Sequence, residues 1–421
     1  MTRRFALAAA VALIVAASAA AQPLTMGTVV GSPNSSDFNI AATRTGIDLV
    51  HPATATGNVT TARFYWSAFP CANAVKIKFF RRSGVNLSLV AERGPFSTTA
   101  ADNTVTLTPA VAVQQGDLIG ITRLANCGNN GALIGIVTAG SLVYAGDLTG
   151  TTTFASGTRR AEVLAISATG TATERVAAVL PVVGSTAGSF GSNFKTSLQM
   201  ANGFTFGSPI SGRLVLRRQG TPGSTSDPTL PFSIPPGQVV TFTDVVAAFG
   251  FTGLGSIDFV LPTGTAMPAV VARVYNDAGA TLGTNGLSEF ATGVDGFFDG
   301  GTIPPGGISL AMGVTAVMIT PNEPSRTRFN IGVRTFFSGA SLTATLKNPD
   351  GTTVATVNKS YLPNSFEQVS AESFFGGISI GANQTVVISV GDGSAIVYGA
   401  TTDNVTNDPA VQYAIGVFAI A

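Results

Sequence analysis

Short apolar runs alternate with turn-forming residues along almost the whole chain. The runs are rich in Val, Ile, Thr and Phe, and clusters of Gly, Pro, Asn and Asp separate them at intervals of roughly 8 to 15 residues. No long stretch of helical periodicity follows the first 21 residues. A parallel sheet would need helical crossovers, so the pattern predicts an all-β protein of tandem antiparallel β-sandwich domains.

The last three fifths of the chain repeat their own pattern of apolar and turn positions. The matching positions are Phe194 and Phe329, Leu198 and Val333, Leu214 and Leu342, Ile234 and Leu362, Phe249 and Phe375, and Ala269 and Ala395. All of them are residue types of cores and turns. The repeat therefore predicts two copies of one folding unit and gives no sign of a duplicated active site.

Changes in composition divide the chain into six segments. Residues 149–173 are rich in Thr, Ser, Gly and Ala, which is typical of a linker. Each repeat copy has the length of an immunoglobulin-like sandwich and about seven candidate strands. The predicted segments are 1–21, a signal peptide; 22–148, a jelly-roll-like sandwich; 149–173, a linker; 174–285, an immunoglobulin-like repeat; 286–313, a connector; and 314–421, a second immunoglobulin-like repeat.

Two segments of the second repeat carry a family resemblance. They are 328–334, Arg-Phe-Asn-Ile-Gly-Val-Arg, and 393–404, Gly-Ser-Ala-Ile-Val-Tyr-Gly-Ala-Thr-Thr-Asp-Asn. Both resemble segments of uncharacterised exported bacterial proteins that are built from immunoglobulin-like β-sandwich repeats. The resemblance implies a sandwich fold and an extracellular setting. Such families share no catalytic residues, so the resemblance assigns no site.

The N-terminus has the three parts of a signal peptide. Arg3 and Arg4 precede an apolar stretch, 6–17, that is too short to span a bilayer, and small residues at 19–21 form a cleavage site before Gln22. No later apolar run is long enough for a transmembrane anchor. We therefore expect a protein that is secreted, extracellular or periplasmic after the signal peptide has been removed.

Cys71 and Cys127 are the only cysteines. Both lie in the first predicted domain, and exported proteins fold in an oxidising compartment. A disulfide between them is therefore favoured over a metal site or a nucleophile.

The charge content argues against a polyanionic partner. The formal net charge is +1 and only 11% of the residues are charged, so there is no broad field to attract nucleic acid. The outer faces should instead be neutral and rich in Thr and Ser. Long neutral edge strands would permit self-association by strand addition.

Catalytic chemistry finds little support in the sequence, and no catalytic residue is assigned. His51 is the only histidine, and no Gly-x-Ser-x-Gly motif accompanies it. A glycoside hydrolase needs only two carboxylates, but the acidic residues are scattered over different segments without a shared motif.

No organic cofactor is expected, and calcium is the one ion with candidate ligands. These are Asp295 and Asp299 in one loop and Asp403 and Asp408 in another. Neither loop has the ligand spacing of an EF-hand. The alternative is that these carboxylates serve turn geometry, for which Asp and Asn are common.

A glycan platform is the second candidate site. Trp66, the only tryptophan, follows Phe64 and Tyr65. Strand alternation places Trp66 and Phe64 on one face and Tyr65 on the other. That face either packs in a sandwich core or is exposed to stack on a sugar.

Three functions remain open at this level. The leading interpretation is a non-catalytic exported surface, matrix or adhesive module. The alternative is a carbohydrate-binding protein that uses its first domain, and the third is a glycoside hydrolase with an unrecognised carboxylate pair. The partner would be an extracellular glycan or protein.

Overall fold

The structure, a computed structural model, describes residues 23–28, 43–67, 69–83, 85–124, 128–130, 132–133, 140–204, 207–279, 281, 283–294, 309–311 and 313–417. Strands make up 66% of it and helix 4%, and every pairing between named strands is antiparallel. The predicted all-β sandwich class is therefore confirmed. The strands form three sandwiches in chain order, which we call the first, second and third sandwich.

The first sandwich contains the strands up to and including part of a 22-residue strand, β14. Its strands are β1 Pro23–Gly27, β2 Arg44–Asp48, β3 Thr56–Ser67, β4 Cys71–Ser83, β5 Asn86–Thr98, β6 Ala101–Val113, β7 Leu118–Arg123, β8 Asn129–Asn130, β9 Ala132–Leu133, β10 Ser141–Ala145, β11 Thr151–Thr153, β12 Thr158–Arg160, β13 Val163–Leu164 and β14 Ile166–Ala187; a 3-10 turn spans Phe154–Ser156.

Two sheets enclose the first core. One has the order β6-β3-β14-β1, and the other has the order β11-β5-β4-β7-β2-β10-β12. Apolar residues on alternate positions face inward, as in Phe64 and Trp66 of β3 against Ile77 and Phe79 of β4, all fully buried. Strands β1, β3, β6 and β14 thus share one sheet, and β2, β4, β5 and β7 share the other. This distribution of successive strands between two sheets is that of a jelly roll.

The predicted linker at 149–173 is wrong. This segment contains β11, β12 and β13, and it enters β14, which pairs with β3 and β1. Its small residues serve close packing, since a Cβ built on Gly170 would lie 2.0 Å from the carbonyl oxygen of Asn58. The C-terminal half of β14 then pairs with a strand of the second sandwich. One strand therefore joins the first two sandwiches.

The second sandwich adds shorter strands to the C-terminal half of β14. They are β15 Asn193–Ala201, β16 Ile210–Arg218, β17 Thr229–Ile234, β18 Val239–Phe242, β19 Gly253–Pro262, β20 Ala269–Asp277, β21 Thr284–Glu289 and β22 Thr292–Gly293, with helix α1 Val245–Ala248 and a 3-10 turn at Ser189–Gly191. One sheet has the order β17-β16-β19-β14 and the other has the order β18-β15-β20-β21.

The third sandwich is organised around two long strands that pass from one sheet into the other. They are β25 and β28 in the series β23 Ser309–Ala311, β24 Thr315–Ile319, β25 Thr327–Lys347, β26 Thr353–Tyr361, β27 Phe366–Ser370, β28 Thr385–Asp403, β29 Pro409–Tyr413 and β30 Ile415–Val417, with helix α2 Ala371–Phe374. The register between β25 and β28 shifts near Gly339 and Gly393, which have positive φ and allow the bend.

The second and third sandwiches share one pairing scheme. The two halves of β25 take the places of β15 and β16, and the two halves of β28 take those of β19 and β20. Helices α1 and α2, each followed by a Phe-Gly pair with the glycine at positive φ, lie at equivalent points. Most residues of the sequence repeat therefore lie at equivalent points of the two units. Leu362 is an exception, because it is exposed just after β26, whereas its counterpart Ile234 is buried at the end of β17.

The strand order of these units differs from the predicted immunoglobulin-like subtype. In that fold, strands A, B, E and D form one sheet and strands C, F and G form the other. In the second sandwich, β14 instead pairs with β19, and β15 lies between β18 and β20. Successive strands therefore alternate between the sheets as they do in the first sandwich. The one difference is that the edge strand corresponding to β1 follows the other strands of its sheet in the chain, as β21. All three units thus follow jelly-roll-type pairing.

The second and third sandwiches pack face to face through a buried apolar layer. It is formed by Val176, Val179, Val215 and Val260 on one side and by Phe336 and Ile396 on the other. Backbone hydrogen bonds cross the boundary as well, from Gly220 to Phe366 and from Gly223 to Pro363. The first sandwich reaches the third through Arg82 and Arg159, which both contact Asp392.

Candidate functional site: a pocket at one end of the first sandwich

The structure corrects the interpretation of Trp66 as an exposed platform. Its side chain is fully buried with Phe64 in the first core, so it offers no open face on which a sugar could stack. Tyr65 points to the other face, as alternation requires, and is half-buried opposite Asp102 of β6. Trp66 is buried because its large apolar side chain stabilises the core. Replacing a core tryptophan by alanine typically costs about 3 to 5 kcal/mol.

Trp66 nevertheless lines a pocket, which lies where the two sheets of the first sandwich separate. The enclosed space is small, about 20 Å³, and it opens partly to solvent. Its described lining residues are Arg44 and Gly46 of β2, Ile121 and Arg123 of β7, Asn130 of β8, Leu164 of β13 and Trp66 of β3. The open end of a sheet-built core is a common place for a ligand.

Two arginines lie side by side on one wall of this pocket. Arg44 and Arg123 are directly paired in the antiparallel register of β2 and β7. Arg123 is nearly buried, with 9% of its surface exposed, and Arg44 is half-buried. Burial lowers the pKa of Arg123 below the ordinary arginine value. Like charges placed opposite each other across neighbouring strands repel.

Cys71 begins β4 and is buried. Cys127 lies outside the described residues, so the disulfide remains a prediction.

The calcium candidates have separate outcomes. Asp295 and Asp299 lie outside the described residues. The Asp403 carboxylate accepts hydrogen bonds from the backbone N–H groups of Val405 and Thr406 and from Arg326. These bonds, that of Thr406 foremost, lower the pKa of Asp403 well below its ordinary value. Asp408 meets Asp403 only through the backbone, its carbonyl accepting from the N–H of Asp403.

The oxygens of this loop thus serve the turn and the ion pair with Arg326, as the alternative interpretation predicts. Within the described part of the chain, no three His, Cys, Asp or Glu side chains lie close enough to hold a metal ion.

His51 takes part in a structural hydrogen-bond cluster. Thr28 donates its hydroxyl proton to Asp48 at 3.0 Å and lies 3.0 Å from Nδ1 of His51. Because the only hydroxyl proton goes to the carboxylate, His51 acts as the donor to Thr28, the reverse of a base that activates a nucleophile. The other oxygen of Asp48 accepts from the backbone of Val50 and His51, which fixes the turn after β2.

Two carboxylates, Glu92 and Asp147, are bridged by lysines on the outer side of β4. Lys76 and Lys78 each contact both Glu92 and Asp147, at 2.6 to 3.0 Å. The hydrogen bond from Lys78 lowers the pKa of Glu92. Burial acts to raise the pKa of Asp147, but both lysines outweigh it and that pKa is also lowered. Both groups stay ionised, whereas glycoside hydrolysis needs one of its carboxyl groups to hold a proton.

Sequence reasoning missed Arg44 and Arg123. Neither belongs to a motif, and 79 positions of chain separate them, so only knowledge of the register between β2 and β7 would bring them together. Comparison of the chain with protein-family models, curated proteins and solved structures finds no match. In the described residues, no helix has the length and apolar character needed to cross a membrane.

Proposed function

We propose that the protein is a non-catalytic exported module that acts at a cell surface or in an extracellular matrix, as a structural or adhesive element. The observation that carries this proposal is the way the sandwiches are joined. One strand, β14, belongs to the first two, and a buried interface holds the second to the third. Units joined by flexible linkers would move independently, whereas a stiff array can hold a binding surface away from its point of attachment.

Fractionation of the producing bacterium tests this function. Antibody against the mature protein should detect it on intact cells or in the matrix fraction, and a deletion strain should lose surface adhesion. Detection only in the cytoplasm would overturn the proposal. Turnover of any substrate in a polysaccharide-hydrolysis panel would contradict its non-catalytic part.

Ligand binding by the first sandwich is a second candidate function. The pocket between the sheets favours it, since aromatic, basic and amide-bearing residues (Trp66, Arg44, Arg123 and Asn130) line it. A glycan array and polysaccharide pull-down with the mature protein, with and without calcium, tests this candidate. Specific capture supports it, and capture of nothing under either condition leaves the structural role alone.

A further inference from the structure

We propose that the edge strand β26, Thr353–Tyr361, pairs antiparallel with β26 of a second copy of this chain and so forms a closed dimer. The strand lies at one end of the sheet β26-β25-β28-β24-β30, and one of its edges is paired with β25. Among the residues that the structure describes, no strand pairs with its other edge, which we call the open edge. A further strand can therefore be added there. This inference goes beyond the proposed structural role and does not depend on it.

β26 is less protected against strand addition than the other strands that end a sheet. β6 and β17 each contain a proline, Pro109 and Pro231, which has no N–H to donate to an added strand. Arg93 also donates hydrogen bonds to the carbonyl oxygens of Pro109 and Ala110. Apart from β6, the other described strands at sheet ends have six residues or fewer. β26 has nine residues and no proline, so it offers the longest uninterrupted backbone edge.

The side chains of β26 do not oppose a copy of the same strand. Lys359 is its only charged residue, and the Lys359 Nζ lies 5.2 Å from the centre of the Phe374 ring. This charge is therefore directed towards α2 and not across the open edge. The residues on the outer side of the strand are uncharged and exposed: Val354, Thr356, Asn358 and Ser360.

Charge and polar pairing favour one register, in which Val357 lies opposite its own copy. This register keeps Lys359 from lying opposite Lys359 of the second copy, and it places Thr356 opposite Asn358 of the second copy. β26 already forms such a pair with β25, where the Thr343 hydroxyl donates to the side-chain oxygen of Asn358 at 2.8 Å. The amide N–H groups of Asn358 can then donate to the threonine of the second copy.

Sedimentation velocity of the mature protein, from micromolar to submillimolar concentration, measures this assembly. We expect a monomer and a dimer in exchange and no larger species. The reason is that an antiparallel pair of identical strands uses the same edge of both copies, which leaves no open edge for a third copy.

Charged variants test the register. Thr356→Lys combined with Asn358→Lys sets like charges opposite each other twice, and it should raise the dissociation constant of the dimer at least about tenfold. Thr356→Glu combined with Asn358→Lys sets opposite charges there and should restore the dimer. The control is Thr229→Lys combined with Ser233→Lys on exposed positions of β17, which adds the same charge and should leave the dissociation constant unchanged. Unchanged thermal unfolding of each variant shows that the fold is intact.

The proposal is overturned by a monomer at every concentration, by species that keep growing with concentration, or by a dimer that the two lysines on β26 leave unchanged. Failure of the Glu and Lys combination to restore the dimer overturns it as well. None of these results bears on surface localisation or adhesion, so the structural function would still stand on its own test.

Discussion

At the scale of single residues, burial decides what each charged group does. Glu92 and Asp147 are partly exposed and stay ionised between two lysines. Glu289 of β21 is 2% exposed at the boundary between the second and third sandwiches, where the Tyr413 hydroxyl donates a hydrogen bond to it. Burial raises the pKa of Glu289 to about 7, against the opposing effect of that hydrogen bond. The pKa of a glutamate is thus lowered at Glu92 and raised at Glu289, because their surroundings differ.

Glu289 should make stability depend on pH. Its pKa in the folded protein lies above that of an unfolded chain, so folding takes up a proton between roughly pH 4.5 and 7. The associated stability is fully present below that window and is lost as the pH rises through it, by up to about 3 kcal/mol. The titratable groups that face Glu289 are Tyr413 and Tyr398, and burial raises the pKa of both well above the ordinary tyrosine value.

Thermal unfolding of wild type and Glu289→Gln at about pH 5 and pH 8 checks this prediction. The wild type should lose more stability at the higher pH than the variant does. Glu323→Gln is the control, because Glu323 is well exposed and loosely paired with Arg326. Equal pH dependence in wild type and Glu289→Gln would contradict the assignment.

At the scale of elements, small residues allow strands to approach closely. Gly170 of β14 lies against Asn58 of β3, at a place where the register between the two strands shifts. The sequence around Gly170 is typical of a flexible segment. In the structure, however, Gly170 allows the backbones of β14 and β3 to come into contact. Composition predicted mobility because it carries no information on the neighbouring strand.

Gly170→Ala should destabilise the first sandwich by about 1 to 3 kcal/mol, since the new Cβ would overlap a backbone carbonyl that cannot rotate away. Gly203→Ala is the matched control, because nothing lies within 4 Å of the position its Cβ would take. Chemical denaturation monitored by Trp66 fluorescence reports on this sandwich. Equal midpoints for the two variants would show that the close approach has no energetic weight.

The predicted disulfide belongs to the same scale, because it would join the start of β4 to the segment after β7. Cysteine alkylation of the denatured protein, followed by mass measurement, should modify neither Cys71 nor Cys127 until the protein is reduced. Reduction should lower the free energy of unfolding by about 4 kcal/mol through the freed loop. Alkylation of both cysteines in the denatured, unreduced protein would refute the bridge.

At the scale of the whole molecule, a buried charge network fixes the second sandwich against the third. Asp258 of β19 binds Arg217 at 2.7 Å and also contacts Arg334 of β25, and Arg217 binds Asp227 at 2.6 Å. Burial alone would raise the pKa of Asp258, but the two guanidinium groups hold it below its ordinary value. The network balances two positive charges with two negative ones, which makes burial tolerable.

Asp258→Asn should cost about 3 to 5 kcal/mol, because it leaves two arginines inside the interface with one carboxylate. We expect the second and third sandwiches to unfold in one calorimetric transition in the wild type and in two in the variant. Asp102→Asn, which removes an exposed ion pair with Arg63, should change stability by less than about 1 kcal/mol. A single transition in both variants would argue against coupling through Asp258.

Local patterns of apolar and turn residues were enough to predict the all-β class and an internal repeat. Alternation of period two told which residues of a strand share a face, so Phe64 and Trp66 were correctly placed together. Turn residues marked where strands end, and shared core positions revealed the duplicated unit. These features are local, and each depends on residues close to one another in the chain.

Which strands become neighbours could be seen in the folded protein alone. Pairing between distant segments set Arg44 opposite Arg123, made β14 common to two sandwiches and enclosed Glu289 beside Tyr413. A pattern of period two fits many registers and sheet orders, and burial of the whole core selects among them. The candidate site is made of such long-range neighbours, and for that reason the sequence did not reveal it.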